Sequence, residues 1–178
     1  MSRIRQIIRR ILRDTSGSAS VEFVLMVPVV LMFGAFSIEL GAVTLRSTML
    51  ERGLDIAVRE VRLGNGAVLA HDDLKKMICE RTLFIPNCQS KLRLEMRPTS
   101  IRDFTPLDPV PDCVDAGDPG KPLRDFEFGG QNRLTLMRAC VKYTPIFPRF
   151  ALGNALTSDA NGDATMVATT SFVQEPTT

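Results

Sequence analysis

An uninterrupted apolar stretch near the N-terminus constrains this chain more than any other feature. Residues 21–45 contain only two charged side chains, Glu22 and Glu39, and the uncharged run between them covers residues 23–38. As a helix with a rise of about 1.5 Å per residue, that run extends roughly 24 Å, slightly less than the ~30 Å hydrocarbon core of a bilayer. The sequence therefore predicts one transmembrane helix, with each glutamate near a membrane interface.

The charges on either side of this stretch predict its orientation. Residues 1–17 carry five arginines and one aspartate, a net charge of +4, whereas the whole chain of 178 residues has a net charge of only +2. Positively charged flanks stay in the cytoplasm. We therefore expect a cytoplasmic leader over residues 1–17, a transmembrane helix over 18–45 and an exported domain over 46–178. The nearly neutral total also argues against nucleic-acid binding.

All four cysteines, Cys79, Cys88, Cys113 and Cys140, fall in the exported part. Oxidising compartments allow disulfides to persist, and an even count favours two bridges. Four cysteines allow three pairings, among which the sequence does not choose. We favour Cys79 with Cys88 and Cys113 with Cys140, because each pair links neighbours across a turn or loop. A zinc site is not predicted, since the chain has no CxxC motif and its single histidine, His71, is unpaired.

The junction between the leader and the apolar stretch carries a recognisable pattern. Residues 16–23 read SGSASVEF, which places Gly17 five residues before Glu22 and Phe23 directly after it. This pattern resembles the cleavage site of type IV prepilin-like proteins. The whole arrangement resembles the TadE-like minor pilins, or pseudopilins, of tight-adherence (Flp, type IVb) pilus systems. The resemblance is close over the N-terminal third of the chain. The remainder resembles these proteins only in its general organisation, a cysteine-bearing exported domain after the apolar helix.

The resemblance implies a cellular location, a processing step and a set of partners. A prepilin peptidase would cut between Gly17 and Ser18 at the bacterial inner membrane, with Glu22 and Phe23 completing the processing site. Gly17 has no Cβ, so the carboxylates of a protease can approach its backbone closely. The other implied partners are related pilins, the inner-membrane assembly platform and membrane lipid, with the C-terminal domain in the periplasm. The sequence does not distinguish a TadE-like from a TadF-like subunit.

The two glutamates of the apolar stretch have separate interpretations. For Glu22 we favour an assembly contact with the N-terminal ammonium or another basic group of a neighbouring subunit, over an interfacial carboxylate that reaches water. For Glu39 we favour a side chain that extends to the outer interface, over an ion pair within a filament. Pro28, Gly34 and Gly41 predict a helix that can bend, or a kink without function.

The exported part has the pattern of an α+β domain. Apolar residues at helical spacing continue from Val43 to Val61, which predicts one long helix over 21–63 that ends at the glycines of 64–66. A second helix is expected to begin near His71, with that histidine in its cap. Strands are expected at 92–97, 134–144 and 165–173, in a small antiparallel sheet stapled by the disulfides.

Two segments and the absence of catalytic motifs favour neither enzymatic nor metal chemistry. Residues 98–122 contain six prolines and five aspartates, which predicts an irregular segment, either a contact loop or a solvated insertion, and we favour the insertion. Residues 159–163, DANGD, lack the glutamate that closes a calcium loop and predict an Asn-Gly hairpin turn. The chain also contains no GxSxG, HExxH or SxxK motif. We therefore expect neither catalysis nor a cofactor.

One rival interpretation uses the same apolar stretch differently. Residues 1–37 could serve as a conventional signal sequence, because Ala35-Phe36-Ser37 loosely fits the small-x-small rule for signal peptidase. The protein would then be a secreted or membrane-anchored periplasmic interaction domain with disulfides. Glu22 at the head of the apolar region and the length of the leader argue against it.

Overall fold

A computed structural model of the chain describes residues 18–63, 70–113, 126–157 and 161–176. Within them the helices are α1 (Ser18–Leu63), α2 (His71–Arg81), α3 (Cys88–Lys91) and α4 (Ala151–Leu156), and the strands are β1 (Leu92–Thr99), β2 (Leu134–Tyr143) and β3 (Ala164–Val173). The strands form one antiparallel sheet in the order β1-β2-β3. The predicted α+β class, with a long N-terminal helix and a three-stranded sheet, is confirmed.

The chain divides into two compact units, residues 1–38 and residues 39–178. The described part of the first unit is the apolar half of α1, residues 18–38. We call the second unit the head, and residues 39–63 of α1 the stem. The head begins at Glu39. The boundary that we expected between the transmembrane helix and the exported domain, between residues 45 and 46, stays a prediction. The leader and the glycines of 64–66, where we expected α1 to end, lie outside the described residues.

The stem supplies one wall of the hydrophobic core of the head. Its buried side chains recur three or four residues apart, so they lie along a single helical face. This face packs with α2 and with one face of the sheet in a single cluster. The buried apolar residues of the stem are Leu50, Leu54, Ala57, Val58 and Val61. The amphipathic pattern of the stem, which follows the apolar stretch, is therefore explained by packing in the core of the head.

Two contacts place the ends of the stem at opposite ends of the sheet. The Arg46 guanidinium lies 4.9 Å from the ring centroid of Tyr143, the last residue of β2. Near the other end of the stem, Arg62 pairs at 3.0 Å with Glu175, two residues beyond β3. A helix of 24 residues and a strand of ten residues are both about 35 Å long. Glu39 therefore lies at what we call the proximal end of the sheet, where β2 ends.

The second face of the sheet is buried on β1 and along most of β2, although the alternating sequence of β1 predicts a half-buried strand; on β3 the same face is exposed. Arg93 and Glu95 of β1 and Arg138 of β2 are all less than a tenth exposed. The Arg93 guanidinium lies 3.1 Å from the carboxylate of Asp112, and Arg138 pairs with Glu95 and donates a 2.7 Å hydrogen bond to the Asp108 carbonyl. The segment that includes Asp108 and Asp112 thus covers the charged face and neutralises it.

Two disulfides, Cys79–Cys88 and Cys113–Cys140, join the four cysteines in the pairing that we favour. The second fixes the covering segment to β2 and closes a loop with a sequence separation of 27, which stabilises a fold by about 3 kcal/mol in the chain-entropy description. The solvated insertion that we favoured over 98–122 is thus wrong in part. Residues 100–106 are exposed, whereas Asp112 is 1% exposed; residues 114–122 lie outside the described residues.

Two turn predictions have different outcomes. His71 is the first residue of α2, after Ala70, and its ring bonds to the Asp72 carboxylate at 3.1 Å instead of capping the helix. Gly162, two residues before the start of β3, has a φ of 78°, which agrees with a turn at Asn161-Gly162. Asp159 and Ala160 of that motif lie outside the described residues.

The stem crosses α2 closely at Gly53, which leads to a stability prediction. A Cβ at this position would lie 3.1 Å from the Ile78 carbonyl oxygen and 3.2 Å from its Cγ2. We expect Gly53→Leu to separate the helices and lower the free energy of unfolding by about 2 kcal/mol, measured by denaturant titration of the detergent-solubilised protein. The matched control is Gly41→Leu, because no atom lies within 4 Å of a Cβ at Gly41. Equal losses in the two variants would contradict the close crossing.

Candidate membrane and assembly helix

The apolar half of α1 presents its side chains outward on all sides. The helix that contains it is long and apolar enough to cross a membrane, and its most apolar window is 0% buried. Residues 19–38 form 20 residues of helix, about 30 Å, which equals the thickness of a hydrocarbon core. The exposed large side chains are Val21, Phe23, Val24, Leu25, Met26, Val29, Val30, Leu31, Met32, Phe33, Phe36 and Ile38.

Exposure of this apolar surface to water is energetically unfavourable. Covering a large apolar side chain is worth about 2 kcal/mol, so these side chains together represent on the order of 20 kcal/mol. The net stability of a whole domain is only about 5–15 kcal/mol. An exposed apolar surface of this size marks a contact with lipid or with other helices.

The backbone and the polar groups of this half suit an apolar environment. α1 continues through Pro28 without interruption, so the predicted bend does not break the helix. The Ser37 hydroxyl donates a 2.9 Å hydrogen bond to the Phe33 carbonyl of its own helix. Internal hydrogen bonding of this kind is what a hydrocarbon environment demands.

The structure describes only part of the predicted processing site. Gly17 lies outside the described residues, and Ser18 is the first residue of α1. Glu22 and Phe23 are exposed in the next turn. Because Ser18 and Glu22 are four residues apart in a helix, they lie on the same face, one turn apart. Glu22 is the single charged residue in the helix between Ser18 and Ile38.

Glu39 is buried in the head, which corrects our expectation that it reaches the outer interface. Its side chain is 1% exposed. One carboxylate oxygen accepts a 3.2 Å hydrogen bond from the backbone N–H of Ile146, and the other accepts a 2.8 Å bond from the N–H of Phe147. Hydrogen bonds to a charged acceptor are the strong ones, so this carboxylate joins the first turn of the stem to the segment after β2.

Arg46, two helical turns after Glu39, makes a second link between the stem and the rest of the head. Its Nε donates a 3.2 Å hydrogen bond to the Phe84 carbonyl, while its guanidinium lies over the Tyr143 ring. Burial raises the pKa of Tyr143 above its usual value, and the nearby Arg46 charge opposes this effect. The phenol is therefore neutral at physiological pH, and the contact is a cation–π interaction.

The segment held by Glu39 is also fixed from its other side. We call residues 144–150 the base loop. A Cβ at Gly153 of α4 would collide with the Phe147 carbonyl, so only glycine allows this close approach. The N–H of Phe150 in turn donates a 3.1 Å hydrogen bond to the same carbonyl. The base loop is therefore a defined turn between the stem and α4.

His71 has the surroundings of a structural side chain. Its ring packs edge-on against Phe126, with 4.9 Å between the ring centroids. Burial lowers the pKa of His71, and the hydrogen bond with Asp72 only partly offsets this effect, so the imidazole is neutral near pH 7. Across the described ranges, no group of three or more His, Cys, Asp or Glu residues forms a candidate metal site.

A comparison with known families identifies the long helix. Residues 17–59 match the family model described as TadE-like protein. This segment is similar to the TadE-like family. The match begins at Gly17 and confirms the resemblance that the N-terminal third of the sequence shows. No curated protein and no solved structure matches the chain.

The TadE-like segment, residues 17–59, contains the apolar half of α1 and most of the stem. It includes Glu22 and Glu39, but it ends before α2, the sheet and both disulfides. Sequence reasoning found the helix and missed the role of Glu39 in binding the base loop. The signal available was the spacing of Glu39 and Arg46, seven residues apart, which places both side chains on one helical face.

The Glu39 contact leads to a second stability prediction. In Glu39→Gln the amide keeps one acceptor oxygen, but its NH2 group faces the second backbone N–H. We expect the free energy of unfolding to fall by about 2 kcal/mol, with faster hydrogen exchange at Ile146 and Phe147, measured by denaturant titration and mass spectrometry. Glu60→Gln, an exposed change on the same stem, should stay within about 0.5 kcal/mol. Unchanged exchange in Glu39→Gln would contradict the assigned bonds.

Proposed function

We propose that the chain is a minor pilin or pseudopilin that takes part in assembling a Flp-type, tight-adherence pilus at the bacterial inner membrane. The observation that carries the proposal is the fully exposed apolar half of α1 within the TadE-like segment. An assembly subunit needs a helix that lipid can cover before assembly and neighbouring helices can cover afterwards. The role is structural, and the chain is a substrate of processing, not an enzyme.

The proposed topology follows from charge and from redox chemistry. The +4 leader stays in the cytoplasm, α1 crosses the inner membrane once, and the head lies in the periplasm. The two disulfides support this placement, because they persist in oxidising compartments. The proposed partners are a prepilin peptidase, the other pilins of the system, the inner-membrane assembly platform and the surrounding lipid.

The proposed processing step separates the charged leader from the helix. The peptidase cuts the peptide bond between Gly17 and Ser18 with water, which leaves a carboxylate on Gly17 and an ammonium on Ser18. The position of this bond rests on the sequence pattern alone, in which Gly17 lies five residues before Glu22. Removal of the leader takes away the charge that holds the N-terminus at the cytoplasmic surface.

In a second candidate function, the mature protein consists of the head without the apolar half of α1. The head forms a compact unit from Glu39 onward, so a signal-peptidase cut after Ser37 would leave that unit complete. The product would be a disulfide-containing interaction domain released into the periplasm. The apolar half of α1 would then serve export only, and the part of the TadE-like match that lies before the cut would be absent from the mature protein.

Intact-mass measurement of the protein from membranes of a cell with the prepilin peptidase separates these candidates. We expect a mature chain that begins at Ser18. A chain beginning at Ile38 would support the released domain, and an unprocessed chain beginning at Met1 would support a plain membrane anchor. Either result would overturn the proposed pilin processing.

A substitution at the cut tests the same step. We expect Gly17→Leu to reduce the processed fraction by about tenfold, because a bulky Cβ blocks the close approach of the protease to this peptide bond. The matched control is Gly34→Leu, a change within α1 where a Cβ meets no atom within 4 Å. Normal processing of Gly17→Leu would remove the peptidase from the proposal.

Glu22 is the proposed assembly contact. An unpaired carboxylate in the membrane costs about 3 kcal/mol, so pairing with the Ser18 ammonium of a neighbouring subunit would stabilise packed helices. We expect Glu22→Ala to be cut normally but to cross-link to other pilins roughly tenfold less, measured by cross-linking in membranes followed by immunoblotting. Glu60→Ala serves as the exposed-glutamate control. Normal cross-linking of Glu22→Ala would contradict the pairing.

A further inference from the structure

The base loop exposes apolar side chains at the proximal end of the head. Ile146 and Phe150 are 46% and 51% exposed, and Arg149 next to Phe150 is exposed as well. Single exposed apolar residues are common on proteins and carry no meaning by themselves. The position of these residues is informative, because the base loop is hydrogen-bonded to Glu39. Glu39 directly follows the apolar half of α1.

We infer that the base loop lies in the outer surface of the bilayer through which α1 passes. Ile146 and Phe150 enter the boundary between lipid headgroups and acyl chains, and Arg149 lies at the level of the lipid phosphates. The partner is therefore phospholipid. The inference rests on the proposed function, since it requires residues 19–38 to span the membrane.

The depth of the loop follows from the length of the helix. Residues 19–38 fill about 30 Å of hydrocarbon, so Glu39 lies at its outer boundary. Hydrogen bonds of 3.2 and 2.8 Å hold the backbone of Ile146 and Phe147 at the same depth. Amphipathic segments at interfaces insert their apolar side chains about 5–10 Å into this boundary. Phe150 is one turn from Phe147, within that range.

The burial of Glu39 is consistent with the same placement. A bare carboxylate at the hydrocarbon boundary is costly, yet this one is 1% exposed because the base loop satisfies it and contributes to its cover. In the inferred arrangement, the exposed side of the loop that covers this carboxylate is in contact with lipid. Apolar side chains flanking one arginine suit that environment, since the arginine can reach the phosphates while its stem stays in the boundary.

The absence of tryptophan from the chain permits a direct test. In liposomes of phosphatidylcholine and phosphatidylglycerol, full-length Phe150→Trp reports the environment of the base loop through its fluorescence. We expect emission at shorter wavelength than in water, and a loss of about half the intensity when the lipids carry bromine near the headgroup end of their chains. The matched control is Phe104→Trp, because Phe104 is 56% exposed in a loop.

Phe104 lies at the end of the sheet opposite Glu39. The neighbouring Thr105 N–H bonds to Thr99, the last residue of β1, about 23 Å along the strand from Leu92. We expect emission typical of water from Phe104→Trp and no quenching by brominated lipid. Equal quenching at positions 104 and 150 would overturn the inference. Unquenched, short-wavelength emission from Phe150→Trp would overturn it too and indicate a protein contact, such as a second copy of the chain.

A third reporter separates this inference from the proposed function. Phe33→Trp lies within the apolar half of α1, and bromine deep in the acyl chains should quench it if the helix spans the membrane. Loss of quenching at Phe33→Trp would contradict the membrane-spanning helix and, with it, the inference. Quenching at Phe33→Trp without quenching at Phe150→Trp would overturn the base-loop inference alone.

Discussion

The exposed apolar surface of α1 is the constraint on which the other features depend. Twenty residues of helix with outward-facing Val, Leu, Met and Phe side chains are stable only under a cover of lipid or other helices. The stem continues the same helix, but its buried apolar residues lie on one face only, and the rest of the head packs against that face. A single helix thus has one half that requires an external cover and one half that its own domain buries.

Glu39 marks the change between these two environments. Its carboxylate binds two backbone N–H groups of the head, so the ionisable group that directly follows the apolar half of α1 is satisfied within its own chain. Arg46 adds a second link, through the Phe84 carbonyl and the Tyr143 ring. Together these contacts fix the stem to the proximal end of the sheet.

The sequence predicts those features that follow from local pattern. The apolar run, the amphipathic stem and the β-strand regions are each visible in the spacing of apolar residues, and helix and strands occur close to the predicted positions. The contacts of Glu39 and the burial of Arg93 were not predictable in this way. The partners of Glu39 are backbone N–H groups more than a hundred residues away, and Asp112 reaches Arg93 only because an irregular segment is folded over the sheet and held by Cys113.

The same contacts limit which charges must move during assembly. When the apolar half of α1 exchanges lipid for neighbouring helices, every group exposed to lipid must find a new environment. In the proposed assembly Glu39 would not take part in that exchange, because its carboxylate is buried within its own chain. Glu22 is then the single charged side chain between Ser18 and Ile38 that needs a partner. Under the proposed function, specific pairing in the membrane would thus be concentrated at one carboxylate, next to the N-terminus that the proposed cut would create.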